Sequence, residues 1–134
     1  MVLRAHSKRI VITGILVIWI VKFFIRPYLQ LDETTRFIAG IAPNLIGSFV
    51  VPFAAYWLLT HADFFNGSLL RFPFFSDMRI LCLLSFFLVT INEYLQLVPF
   101  FGRTFDYFDI AFSAVGFVLS YYSFNSLQRR SAIL

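Results

Sequence analysis

Glu93 and Gln96 interrupt a long apolar run, and Arg103, Asp106 and Asp109 follow in the connection to the next one. In hydrocarbon an acidic or basic side chain costs at least about 2.5–3.5 kcal/mol on insertion scales. Glu93 must therefore be paired, protonated or wetted. Arg103 is a fitting partner, because its planar fork of donors suits carboxylates and phosphates. Two carboxylates near an arginine and a buried glutamate are also groups that can run acid–base chemistry. No activated nucleophile, Gly-rich phosphate loop or metal-ligand spacing accompanies them. His6 and His61 stand apart, and Cys82 is the sole cysteine. The sequence thus points to no metal and no cofactor, and leaves open whether the chain is an enzyme.

Helical spacing ties these residues together. Glu93 and Gln96 are three apart, as are Asp106 and Asp109, so each pair shares a helix face. From Asp109 a small polar stripe continues through Ser113, Gly116 and Ser120. A helix with one such face and otherwise Phe, Val, Leu and Tyr turns that face toward its neighbours. The stretch from Asn92 to Gly116 is accordingly expected to organise the molecule.

The elements that carry it are membrane spans. Of 134 residues, 60% are hydrophobic and 13% charged, with 19 phenylalanines. Soluble domains carry about 25% charged residues. A chain this short has no way to bury so much apolar surface in water. Only helices and closed barrels satisfy their backbone in lipid, and apolar runs of this length indicate helices. The expected fold is an all-α integral membrane protein, a bundle of four transmembrane helices forming a single domain over residues 1–134. The spans read as about residues 10–29, 37–60, 78–100 and 105–124. Residues 61–77 read as an interfacial loop and 125–134 as a frayed tail.

The net charge of +4 does not indicate nucleic acid, because the basic residues flank apolar blocks. No small-residue cleavage site follows the first apolar run, so it reads as an uncleaved anchor. With four spans, the termini and the middle loop share one side. That side holds seven basic residues: Arg4, Lys8, Arg9, Arg71, Arg79, Arg129 and Arg130. The other holds four: Lys22, Arg26, Arg36 and Arg103. The bias places both termini in the cytoplasm of a cell-membrane protein. Glu93, Gln96, Arg103, Asp106, Asp109, Asn44 and Ser113 then converge near the outer leaflet.

Plainer roles exist for most of these groups. Asp106 suits a helix N-cap, with Asp109 one turn in. Glu93 suits an interhelical structural partner, and Asn44 suits packing glue. Gly40, Asn44, Gly47 and Ser48 are expected on one side of the second span, where small residues let helices approach. Pro43 and Pro52 free carbonyls that need partners inside the bundle. Pro27 marks an end or kink of the first span.

The pattern Glu93-x-x-Gln96, then Arg103-x-x-Asp106-x-x-Asp109, then a small face to Gly116, resembles the signature of VanZ-like membrane proteins. The likeness covers about a quarter of the chain. Ser113 stands where that family commonly has Asn. Asn44 to Pro52-Phe53-Ala54 is similar to an earlier family motif, with longer spacing and Ala for Gly. The resemblance implies a four-span membrane protein. It also implies a link to antibiotic resistance, since the founding member is associated with low-level resistance to teicoplanin, a lipid-tailed glycopeptide.

The expected function is binding of a lipid headgroup or amphiphile at the outer-leaflet polar cluster. The alternatives are a membrane enzyme acting on a lipid-linked substrate, and a structural subunit whose polar network only holds the helices together. The expected partners are the bilayer, such a ligand, and further copies or subunits in the membrane.

Overall fold

The computed structural model describes residues 2–28, 32–60, 77–95 and 107–133. The first helix, α1, runs over Val2–Ile20, widens into a π-helical turn at Val21–Ile25 and resumes over Arg26–Tyr28. Helix α2 is Glu33–Leu59, α3 is Met78–Leu95 and α4 is Tyr107–Ile133. All four are long and apolar enough to cross a membrane. The chain is an all-α membrane protein built as a four-helix bundle.

Pairing gives the directions. Arg26 meets Ala39 and Gly40, Ile18 lies at Gly47, and Gly14 lies at Val50, so α1 and α2 are antiparallel. Arg79 meets Tyr121 and Phe86 meets Phe117, so α3 and α4 are antiparallel too. Phe37 meets Phe108, Gly116 crosses Ser48, and Phe53 meets Phe124, so α2 and α4 run parallel. One end of the bundle carries both termini. The other carries Arg26, the start of α2, Glu93 and the start of α4.

Helix α2 packs against all three others. Its closest packing is against α4 and α1. Its small residues divide between two neighbours: Gly40 and Gly47 face α1, whereas Ser48 faces Gly116 of α4. The single face expected for Gly40, Asn44, Gly47 and Ser48 does not form. Gly47 and Ser48 stand about 100° apart on the helix and meet different partners. A helix in the middle of a bundle needs close approach on more than one side.

The apolar core lies in the terminus-bearing half. Val11, Val50, Phe53, Met78, Leu81, Cys82 and Phe124 are buried together. Phe124 sits 6.0 Å from the Phe53 ring and 4.8 Å from the Tyr56 ring. This packing explains two differences from the sequence reading. Helix α1 begins at Val2, well before residue 10, because Ser7 and Val11 continue its inward face. Helix α4 continues to Ile133, so the expected frayed tail is helix. Phe124 and Leu127 hold it against the core. At 27 residues α2 and α4 are each about 40 Å long, which exceeds a hydrocarbon core of about 30 Å. The expected interfacial loop lies outside the described residues, save Asp77. Asp77 caps α3: its Oδ1 accepts the Arg79 N–H at 2.9 Å.

The exposed faces are greasy in the manner of lipid-facing surfaces. Leu83, Phe87 and Leu88 on α3 and Ile15, Leu16 and Trp19 on α1 are all exposed. In water such patches would drive association, whereas in a bilayer they meet their solvent.

Candidate functional site

Glu93 is buried at 7% exposure because it extends the inward stripe of α3. That stripe runs Met78, Leu81, Cys82 and Ser85, and Glu93 continues it about two helical turns beyond Ser85. The same face that packs the core at one end of α3 thus carries a carboxylate at the other. Thr90 lies three residues earlier, with a buried hydroxyl that finds no hydrogen-bond partner among the described residues.

On α4 the inward stripe is Ser113, Gly116, Phe117, Ser120 and Phe124, all buried. Asp109, one turn above Ser113, is half-buried. Two contacts fix how α3 and α4 are aligned: Phe86 against Phe117 at 5.8 Å, and the Cys82 Sγ toward the Phe117 carbonyl at 3.8 Å. Seven residues beyond Phe86 is Glu93, and eight before Phe117 is Asp109, about 10–12 Å in either case. Glu93 and Asp109 therefore stand at the same level of the bundle.

Asn44 joins them one turn deeper. Ser48 crosses α4 at Gly116, so four residues back on α2 and three back on α4 bring Asn44 level with Ser113. Asn44 is half-buried. Its carbonyl accepts the Ser48 hydroxyl at 2.7 Å, and the Leu45 carbonyl shares that donor at 3.0 Å. The crossing is tight: a methyl group on Gly116 would overlap Ser48 Oγ and lie 2.6 Å from the Leu45 carbonyl oxygen. Ser48 and Gly116 form the packed floor beneath the polar level. Gln96, Arg103 and Asp106 lie outside the described residues, so the expected Glu93–Arg103 pairing does too.

Arg26 is a residue whose role the sequence reading missed. Its Nε donates to the Ala39 carbonyl at 3.0 Å and its Nη2 to the Gly40 carbonyl at 2.7 Å. The Ala39 carbonyl needs this donor. In a regular helix it would receive the N–H of residue 43, which is Pro43 and has none. Arg26 replaces the missing bond from a neighbouring helix. The wide turn at Val21–Ile25, closed by the Arg26 N–H on the Val21 carbonyl, lies directly before Arg26 and Pro27. One signal was available: an in-helix proline always leaves the carbonyl four residues earlier in search of a donor.

At the start of α2, Asp32 is exposed and accepts the Thr35 hydroxyl. That hydrogen bond holds its carboxyl below the usual carboxylate range. Among the described residues no group of three His, Cys, Asp or Glu side chains is placed to hold a metal ion.

No family model, curated protein or solved structure matches the chain.

Proposed function

We propose that this chain is a VanZ-like membrane protein that binds a lipid headgroup or an amphiphile at the polar level around Glu93. The burial of Glu93 carries this reading. A carboxylate on the inward face of a membrane helix is a functional-site hypothesis by default. The alignment of Asp109, Asn44 and Ser113 with it supplies further polar groups from two other helices. The packed floor at Ser48 and Gly116 separates this level from the apolar core. In the proposed site Arg103 meets an anionic group, Gln96 and Asp106 complete the rim, and the aromatic walls meet acyl chains. The basic-residue bias assigns this end to the outer leaflet and the termini to the cytoplasm. A role toward amphiphilic glycopeptide antibiotics follows from the family resemblance alone.

The test is binding of a fluorescent lipid-tailed glycopeptide, and of a fluorescent phospholipid, to the chain in nanodiscs. Glu93→Gln and Arg103→Ala are each expected to weaken binding of one or both probes at least about tenfold, which is 1.4 kcal/mol. Wild-type affinity for both probes in both variants would reject the site. Loss of folding in both, with no binding by the wild type, would mark the cluster as helix glue.

A further inference from the structure

A second feature lies at the opposite end of the bundle, on the outer surface of α3 and α4. Between them runs an apolar groove of about 500 Å³, lined by Leu83 and Phe86 on one side and Ala114, Val118 and Tyr122 on the other. At its terminus-bearing end the groove meets Arg79 and Tyr121. Those two residues also border a polar basin of about 690 Å³ with Asp77, Asn125, Gln128 and Arg129. A greasy slot thus opens into a basic, hydrogen-bonding rim.

We propose that this paired groove and basin hold one anionic phospholipid, with an acyl chain between α3 and α4 and the phosphate on Arg79 and Arg129. Shape comes first. The groove spans eight residues of α3 and nine of α4, about 11–12 Å along the helices, and its volume falls in the ordinary range for small-molecule sites. The charge fits an anion and not a zwitterion. Arg79 and Arg129 face one carboxylate, Asp77, and one oxygen of that carboxylate is engaged by the Arg79 N–H. Arg4, Lys8, Arg9 and Arg130 crowd the same end of the bundle and add to its positive field.

Arg79 is also held in place. Its Nε donates to the Tyr121 hydroxyl at 3.1 Å, and its guanidinium lies 6.0 Å from the centre of that ring. This fixes the plane of the fork and leaves its Nη donors for a second partner. A guanidinium so oriented meets phosphate with little loss of freedom. The Gln128 amide suits the hydroxyls of a glycerol headgroup. This site is independent of the cluster around Glu93, which lies at the other end of α3.

Native mass spectrometry of the full chain, released from nanodiscs of phosphatidylglycerol and phosphatidylcholine, tests the assignment. One phosphatidylglycerol is expected to stay bound in preference to phosphatidylcholine. The Arg79→Gln/Arg129→Gln pair is expected to weaken phosphatidylglycerol binding about thirtyfold, at about 1 kcal/mol for each arginine near the surface. Arg129→Gln alone, at an exposed position, keeps the test valid if Arg79→Gln impairs folding; it should lose about fivefold. Ala114→Trp, which fills the groove, should expel either lipid. Equal retention of the two lipids, or unchanged phosphatidylglycerol binding in Arg129→Gln, would overturn the proposal. A dimer that Ala114→Trp splits, with no lipid lost, would assign the groove to a second copy instead. Glu93→Gln should leave this lipid in place, so failure here is distinct from failure of the outer-leaflet site.

Discussion

The two ends of this bundle solve opposite problems. In the terminus-bearing half the interior is mainly apolar: Phe53, Met78, Leu81 and Phe124 meet there, the buried polar groups are small serines such as Ser7 and Ser120, and charged groups such as Arg79 and Arg129 stay exposed. In the other half the inward faces carry Glu93, Ser113 and Ser48, and the exposed faces are greasy. The same helices make both halves, and the same inward stripes run through both. What changes is the chemistry along each stripe. One half packs mainly apolar side chains between the helices, and the other sets polar ones on the same inward faces.

The sharpest way to break this contrast is to damage the apolar half. Phe53 has no exposed surface and touches aromatic rings from its own helix and from α4. Phe53→Ala should cost about 2–3 kcal/mol of stability. In a membrane the transfer part of the usual loss is largely cancelled, because lipid is as apolar as the core, and the cavity part remains. Thermal unfolding in micelles measures it. Glu93→Gln, also at a buried position, should cost clearly less while weakening the probe binding proposed for that level. If Glu93→Gln costs as much as Phe53→Ala, the polar half is structural and the contrast fails.

The glycines sharpen it next. Gly116 has no room for a methyl group against Ser48 and the α2 backbone, so Gly116→Ala must push α4 from α2, at about 1–3 kcal/mol. At Gly40 the nearest atom is the Arg26 Nη2 at 3.8 Å, an ordinary contact. Gly40→Ala should change stability by about 0.5 kcal/mol or less. Equal effects in the same unfolding assay would mean that the crossing at Gly116 is looser than its geometry indicates.

Much of the contrast was legible in the sequence. Hydropathy alone located four spans, and helical spacing gave the inward face of α4 from Ser113 to Ser120. Two things were not legible. The ends of α1 and α4 extend past their apolar runs because Ser7 and Leu127 pack inward, and hydropathy cannot tell a polar helix from a polar tail. The double duty of α2 was hidden because Gly47 and Ser48 are both small, and size does not name a neighbour. Arg26 was taken as a topology charge, since its partners lie 13 and 14 residues away. Topology alone set Glu93 and Asp109 toward the same side of the membrane, but the inward turn of Glu93 needed the packing of α3.

A double-mutant cycle tests Arg26. If it replaces the bond that Pro43 cannot make, Arg26→Ala should cost about 1–3 kcal/mol by leaving the Ala39 carbonyl unsatisfied. Pro43→Ala restores the N–H to the Ala39 carbonyl. In that background Arg26→Ala should cost less, with a coupling of about 1 kcal/mol. Strict additivity would mean that Arg26 acts only as an interfacial charge.

The smallest effect belongs to Asp32, at the membrane surface where α2 begins. The Thr35 hydroxyl stabilises its ionised form, so its folded pKa lies below the value of the unfolded chain. The sign follows from linkage: a depressed carboxylate contributes stability above the unfolded pKa, and loses it as pH falls through the folded one. The helix start should therefore loosen only in strong acid. Asp32→Asn should flatten that acid limb in hydrogen exchange of the first α2 amides and leave Glu93-dependent binding unchanged. The comparison turns on that separation. Asp32 is exposed at the start of α2, whereas Glu93 is buried on the inward face of α3, so the Thr35 contact can be lost without moving the level where Glu93 stands. Parallel acid shifts in the α2 amides and in ligand binding would show that the helix start and the polar level move together.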